Sequence, residues 1–289
     1  MANMRAQRPE FVRETVDSSA LGVVEKPLTP WEIIYNRGEV RKAFILVVLA
    51  LLWQLYAVQL DNPLLFPTFT ATVEAFWQGI VTGGLLNKAW FSIKVLLQGY
   101  AAGLAIAAVL VVIAITSRIG NDLLETLTSM FNPLPAIALL PLALIWFGLG
   151  NASIVFVLIH SVLWAVALNT HSGFMSVSAT LRMVGRNYGL SGVRYVAKIL
   201  IPAAFPSILT GLKIGWAFAW RTLIAAELVF GVSSGSGGLG WFIYENKNQL
   251  EIPSVFAGLF TVILIGLVVE NLIFRNIETH TVRKWGMQH

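Results

Sequence analysis

Three ionisable side chains stand inside otherwise apolar runs of the chain: His160 in "IVFVLIHSVLWAVAL", and Arg221 and Glu227 in "IGWAFAWRTLIAAELVF". If those runs cross a bilayer, each such group costs at least about 2.5–3.5 kcal/mol near the centre of a span, so it faces a cavity or a partner. A guanidinium presents a planar fork of donors that suits the oxygens of a carboxylate, sulfonate or nitrate, which makes Arg221 a candidate anion site. His160 is a second donor, and Trp164, four residues on, shares its helical face. Trp216 and Trp220 flank Arg221 and are candidates to wall the same cavity. Glu227 lies about 9 Å further along a helix than Arg221 and about 600° around it, off its face by a third of a turn. The candidate path is therefore His160, Trp164, Trp216, Trp220, Arg221 and Glu227. For His160, Arg221 and Glu227 alike the alternative is a polar group satisfied within a helix bundle.

Other chemistries lack their residues. The phosphate loop G-x-x-x-x-G-K-[ST], whose backbone N–H groups and lysine cradle a nucleotide, does not occur. "SSGSGGLG" (233–240) is glycine-rich without that lysine and reads as a flexible turn. There is no H-E-x-x-H and no serine nucleophile elbow; with no cysteine and four histidines, neither disulfides nor a zinc site is expected. The chain is expected to be no enzyme and to bind no cofactor of its own, so any energy from hydrolysis must come from another chain.

The elements that position these residues follow from composition. Of 289 residues 56% are hydrophobic and only 12% charged, against about 25% charged in an ordinary soluble domain. That leaves too little polar surface for a water-exposed globule and makes the bilayer the solvent. Six stretches reach the roughly 20 apolar residues a membrane helix needs: 43–60, 89–115, 127–148, 152–171, 204–231 and 254–275. Pro133, Pro135 and Pro141 interrupt the third, which is expected to be a bent helix held against other protein. The fold class predicted is an all-α integral membrane protein with six spans. Residues 1–42 form a polar arm without the pattern of a secretory signal, and residues 276–289 a short tail. In the arm, "LTPWEIIYNR" carries Thr29 as N-cap, Pro30 at the first helical position and Glu32 reaching back, which predicts a short interfacial helix near 30–37.

Charge gives the orientation. Residues 172–202 hold Arg182, Arg186, Arg194 and Lys198 and no acid, and the tail adds Arg283 and Lys284, whereas the 61–88 and 234–252 loops carry Asp61, Glu74, Glu245 and Glu251. The positive-inside rule then places both termini and the 172–202 segment in the cytoplasm. The net charge of +5 reports topology, and a nucleic-acid partner loses its support.

The 172–202 segment is long for a connector. Val177, Leu181, Val184 and Tyr188 recur at helical spacing, Arg182 and Arg186 share another face, and Gly189 breaks the helix. Ser191 is placed to cap a second short helix, with Val193, Val196 and Ile199 apolar, Arg194 and Lys198 four apart, and Pro202 ending it. Two basic, amphipathic helices of this kind either lie on anionic lipid headgroups or dock a soluble partner.

The spacing of Gly189, nine residues, then Ile199, Leu200, Ile201 and Pro202 resembles the cytoplasmic loop E-A-A-x-x-x-G-x9-I-x-L-P of permease subunits in binding-protein-dependent ABC importers. Here Met183, Val184 and Gly185 stand at Glu-Ala-Ala, and Ile201 replaces Leu. "PAAFPSILTGLKIGWAFAW" (202–220), "LIAAELVFG" (223–231), "FNPLPAIALLPLALIWFGLG" (131–150) and "LLFPTFTATVEAFWQGI" (64–80) are similar to segments of the nitrate, sulfonate, taurine and bicarbonate group. The resemblance spans about residues 43–275 and implies a type I importer permease with a cytoplasmic coupling-helix pair. It further implies a second permease subunit, as a homodimer, and an extracytoplasmic substrate-binding protein. ATP and Mg would sit on partner ATPase subunits, and the chain would lie in a bacterial inner membrane. The docking residues it implies are Leu181, Arg182, Met183, Val184, Gly185, Arg186, Gly189, Arg194, Ile199, Ile201 and Pro202; with no Glu at 183, Arg182 or Arg186 is expected to supply a different ion pair. The alternative is a proton-coupled secondary transporter using Arg221, Glu227 and His160. Such folds often carry paired halves with matching broken helices, and no convincing repeat relates the first three spans to the second three.

Overall fold

A computed structural model of the chain describes residues 29–230 and 237–286. The charged opening of the polar arm (1–28), residues 231–236 of the glycine-rich stretch and residues 287–289 of the tail lie outside the described residues. All regular elements among the described residues are helical. The chain divides into two units, residues 1–52 and 53–289.

The first unit holds α1 (Pro30–Asn36) and the opening of α2 (Gly38–Leu60). The expected capping box is present: the Thr29 backbone N–H donates to Glu32 Oε2 at 2.8 Å, and the Glu32 N–H donates to Thr29 Oγ1 at 3.3 Å. The Thr29 backbone N–H and then its hydroxyl hold the Glu32 carboxyl below its ordinary range. The first apolar helix starts at Gly38 rather than 43, and its exposed Phe44, Leu46 and Leu52 suit a lipid-facing surface.

In the second unit the two acidic loops contain helices that no long apolar run announces. α3 (Phe69–Val81) starts on Thr68, whose hydroxyl accepts from the Ala71 N–H, and α11 (Leu239–Asn248) follows the glycine-rich stretch. Five helices are long and apolar enough to cross a membrane: α2, α4 (Leu85–Thr116), α7 (Asn151–Met175), α10 (Ile201–Phe230) with the turns that lead into it, and α12 (Ile252–Val268) with its continuation. The expected third span is not one bent helix. α5 (Arg118–Phe131) meets a 3-10 turn (Ala136–Leu139) and α6 (Leu140–Phe147) across an 87° bend. Pro133 and Pro135 lack N–H groups and cannot continue the hydrogen-bond ladder, so α5 stops at Asn132, which still has helical dihedrals (φ −62°, ψ −35°), and residues 133–135 run irregularly. Pro141 sits in the first turn of α6, where a missing N–H costs nothing.

α7 is the centre of this unit, packed between α4 and α10. Gly103 of α4 leaves room for Val162, and a Cβ at Gly103 would meet the Val162 Cβ at 2.8 Å. One turn earlier Gly99 does the same for Leu158. From the other side Gly211 and Gly215 of α10 receive Asn169 and Val166, at 2.9 and 3.1 Å from an added Cβ. Two small-xxx-small faces thus close on one helix. In lipid this matters more than hydrophobicity, because apolar side chains gain nothing by leaving lipid for protein and close packing must hold the helices.

Glu227 fastens α10 to α4 and α11. Its carboxyl group, 3% exposed, accepts from Ser92 Oγ at 2.8 Å and from the Gly240 N–H at 2.9 Å, while Ser92 Oγ accepts from the Leu239 N–H at 2.8 Å. Gly238 and Gly240 are glycines because any Cβ there would strike Ser92 and Glu227. The described end of the glycine-rich stretch is therefore a backbone seat for a buried carboxyl group and not a free turn.

The last helix does not end at 275. α12 continues through a π turn (Val269–Phe274), α13 (Arg275–Glu278) and a second π turn to Arg283, so most of the expected tail is helical. Its carboxylates hold Lys213 of α10, whose Nζ lies 2.7 Å from Glu278 Oε2 and 3.9 Å from Glu270 Oε1. Arg283 Nη2 completes the cluster at 3.5 Å from Glu278 Oε1.

Two substitutions test this packing. Gly103→Ala should destabilise the detergent-solubilised protein by about 1–3 kcal/mol, the cost of overpacking. Gly266→Ala, whose added Cβ would meet only Trp220 Nε1 at 3.9 Å, should be neutral in the same thermal unfolding measurement. Glu227→Ala leaves the Ser92 hydroxyl and the Gly240 N–H without their acceptor, at about 1–3 kcal/mol each. It should lower the midpoint more than Glu227→Gln, which keeps one acceptor oxygen.

Candidate functional site

A cavity of about 390 Å³ opens between α7, α10 and the irregular 132–137 segment. The break is what makes room for it: where a straight helix would pack, Asn132 to Ile137 form a wall. α7 contributes His160, Ser161 and Trp164, and α10 contributes Phe218, Arg221, Thr222 and Ala225. Positions 218, 221, 222 and 225 recur at helical spacing, so one face of α10 lines the cavity. His160 lies nine residues after the first residue of α7, and Arg221 nine before the last of α10, about 14 Å at 1.5 Å per residue. The two therefore meet at one level.

Arg221 is accessible and, among the described residues, the only charged one in the lining. Its Nε donates to the Ala217 carbonyl at 3.1 Å, and its Cζ lies 5.6 Å from the centre of the Phe218 ring. No carboxylate lies within ion-pair distance of it among the described residues. Trp164 stacks on Phe131 with centroids 5.6 Å apart and planes 11° from parallel, and His160 sits edge-on to Trp164 at 6.1 Å. Trp164 Nε1 and both ring nitrogens of His160 are buried without a hydrogen-bond partner. Ser161 Oγ, by contrast, is engaged with the Val157 carbonyl at 3.2 Å and Thr222 Oγ1 at 3.0 Å.

Three of the six candidate path residues thus come together: His160, Trp164 and Arg221. The other three lie on other sides of α10. Trp216 packs edge-on to Tyr100 at 5.5 Å and against Phe274 at 6.4 Å, so it does not wall the cavity beside Arg221. Trp220 is buried and donates to the Val262 carbonyl of α12 at 3.2 Å. Glu227 is fastened to Ser92 as described. Asn132, Ser161, Phe218 and Thr222 carry no charge and were not signalled by a search for ionisable groups in apolar runs. Lys213, which is ionisable, pairs with Glu278 and Glu270 of the last helix.

At the other end of α7 the 172–202 segment forms α8 (Ala179–Asn187) and α9 (Gly192–Tyr195). Gly189 takes a left-handed φ of +68°, as a helix-ending glycine does, and the Leu190 N–H returns to the Gly185 carbonyl at 3.0 Å. Ser191 occupies the cap position of α9 but its side chain makes no capping bond. Pro202 does not end the second helix. A π turn (Val196–Leu200) joins α9 to α10, with the Ile201 N–H bonded to the Val196 carbonyl, and the helix runs on through Pro202. The widened turn, a common irregularity inside helices, precedes the residue that lacks an N–H and accommodates it. Val177 lies before α8 and is buried, while Tyr188, which follows its last turn, is 82% exposed; the four apolar residues do not form one continuous stripe.

Arg182 is not free for an ion pair. Its Nη2 donates to the Phe174 carbonyl at 2.5 Å and its Nε to the Val177 carbonyl at 3.1 Å, which ties α8 to the end of α7. Gly185 ties α8 to the other strand of the segment: a Cβ there would meet Ile199 Cγ1 at 2.9 Å and Tyr195 Cε2 at 3.0 Å. Leu181, Met183, Val184, Arg186, Arg194 and Ile201 remain exposed, whereas Ile199 is partly covered. Arg186, Arg182 and Arg118 line a second cleft of about 840 Å³ between this segment and the α4–α5 junction.

Residues 99–279 match the family described as binding-protein-dependent transport system inner membrane component. A Methanocaldococcus jannaschii protein named as an ABC transporter permease is 33% identical over 241 residues, covering 82% of this chain and 89% of that protein. The nitrate import permease protein of a Synechocystis strain is 29% identical over 251 residues, covering 84% and 90%. The taurine transport system permease protein of Escherichia coli is 28% identical over 230 residues, covering 78% and 82%. The family match reaches from the middle of α4 to the last helix and includes both the cavity and the α8–α9 segment, so this chain belongs to the binding-protein-dependent transport system inner membrane components, as a membrane-embedded permease subunit.

Proposed function

We propose that this chain is the permease subunit of an ATP-driven importer for a small anion, working as a pair of copies with two ATPase subunits. A substrate-binding protein delivers the solute on the extracytoplasmic side. The observation that carries the anion is Arg221, a guanidinium at a membrane-embedded cavity with no carboxylate beside it among the described residues. A cation so placed is neutralised most simply by what passes through. The names of the relatives, a nitrate permease and a taurine permease, point the same way.

ATP and Mg belong to the partner ATPase, since this chain has no phosphate loop. The motor grips α8 and α9. Their exposed Met183 and Val184 offer apolar contact, and Arg186 and Arg194 supply the polar contacts that a glutamate at 183 would otherwise provide. The force has a short route. Arg182 links α8 to α7, Gly185 links it to the π turn that feeds α10, and α7 and α10 are two walls of the cavity. Tilting α8 therefore moves both walls together. The cluster of Arg182, Arg186, Arg194 and Lys198 sets this segment, with both termini, on the cytoplasmic face of the inner membrane.

Arg221→Ala should reduce anion uptake into vesicles about 10- to 100-fold, the equivalent of a charge-assisted hydrogen bond worth about 1.5–3 kcal/mol, and Arg221→Lys should retain part of it. Undiminished uptake by Arg221→Ala would remove the anion assignment. Gly185→Leu forces α8 away from Ile199 and should abolish co-purification of the co-expressed ATPase while the permease still inserts. Full retention of the ATPase would count against docking at α8.

A further inference from the structure

We infer that the cavity beside Arg221 selects an organic anion with a single acid group and a flat apolar body, over inorganic oxyanions and over zwitterions, and that Trp164 and His160 set this selectivity. The inference rests on the anion-importer reading and narrows its substrate.

Size comes first. The cavity measures about 390 Å³, within the roughly 300–1,000 Å³ typical of sites for small organic ligands. An oxyanion such as nitrate or bicarbonate fills on the order of one or two water volumes of about 30 Å³ each, and would leave most of the walls touching nothing. Those walls are largely apolar: Pro133, Pro135, Ile137, Trp164, Phe218 and Ala225. An inorganic ion offers them no surface to cover, whereas an apolar body gains about 25 cal/mol for each Å² it removes from water.

Charge excludes a second class. Among the described residues the lining holds one cation and no Asp or Glu. The carboxyl group closest in sequence to Arg221, Glu227, is 3% exposed and is occupied by Ser92 and Gly240. An ammonium entering this cavity would find no counter-charge and would sit near a guanidinium, so an amino-sulfonate or amino acid is disfavoured.

Polar partners then point to an anionic head held by neutral donors as well as by Arg221. Trp164 is 7% exposed, and its indole N–H has no acceptor in the protein. Buried donors are rarely left so. Both His160 nitrogens are likewise without partners. Among the described residues the hydrogen bonds of Arg221 engage Nε alone, through Ala217. Trp164, His160 and Arg221 all line this one cavity, and the indole N–H, the imidazole N–H and the guanidinium suit the oxygens of a carboxylate or sulfonate. The stack of Trp164 on Phe131 and the Phe218 ring near the guanidinium offer planar surfaces for an aromatic or extended body.

The test uses the complete transporter, permease with its co-expressed ATPase, in lipid nanodiscs. Thermal shift is read with benzoate, benzenesulfonate and hexanesulfonate on one side and nitrate, bicarbonate and taurine on the other. Expected is a saturable rise in melting temperature with at least one of the first three and none with the second three. Trp164→Phe, which keeps the stack on Phe131, should weaken binding of the effective probe about 5- to 10-fold, with the ligand-induced rise read against the variant's own unliganded melting temperature, which the void left by the smaller ring lowers. Saturable binding of nitrate, bicarbonate or taurine at least as tight as that of the organic probes, and lost in Arg221→Ala, overturns this inference while leaving the anion importer intact. No binding by any of the six likewise overturns it; if Arg221→Ala then also imports normally, the importer reading for an anion falls with it. An unaltered affinity in Trp164→Phe removes Trp164 from the selectivity.

Discussion

Close approach of backbone to side chain at α7 is the constraint on which the rest of the second unit depends. Gly99 and Gly103 admit Leu158 and Val162 from one side, and Gly211 and Gly215 admit Asn169 and Val166 from the other. In a bilayer, where lipid tails compete for every apolar surface, such shape-matching is the available glue. It fixes α4, α7 and α10 as one block. The cavity lies midway along α7 and the α8–α9 segment follows its end, and the same two helices join them.

On this block charge is sorted by helix face. The α10 face with Phe218, Arg221, Thr222 and Ala225 is left open, while Lys213, Trp220 and Glu227 are each consumed by a neighbour. A single helix thus holds ionisable groups with and without ionic or buried partners among the described residues, within fifteen positions of one another, and the partners, not the residue types, separate them. Glu227 illustrates the point: its carboxyl group meets donors on two other elements, and the glycines at 238 and 240 exist to let the backbone reach it.

Much of this was legible from the order of residues. Hydropathy located the long helices within a few residues, because crossing a membrane demands an unbroken apolar run. The cap at Thr29 and the break at Gly189 followed from local chemistry that needs no tertiary context. The rotation between Arg221 and Glu227 correctly separated their faces. What escaped was set by partners distant in sequence. The amphipathic α3 and α11 have no apolar run of membrane length, the α5–α6 bend depends on what fills the space left by Pro133 and Pro135, and Pro202 was tolerated because a π turn precedes it. Arg182 read as a free cation, yet it closes on the carbonyls of Phe174 and Val177. Trp216 and Trp220 read as neighbours of Arg221 along the chain and turned out to face other helices.

The carboxylates of the final helix give the end of the polypeptide an unexpected weight. Lys213 sits within α10, and its ammonium is held by Glu278 at 2.7 Å. A polypeptide truncated before Glu278 would leave that partly buried ammonium with only Glu270, 3.9 Å away, to answer it. The carboxy-terminal residues through Arg283 thus brace α10, and epitope tags or reporter fusions belong beyond Gly286, not in place of what precedes it.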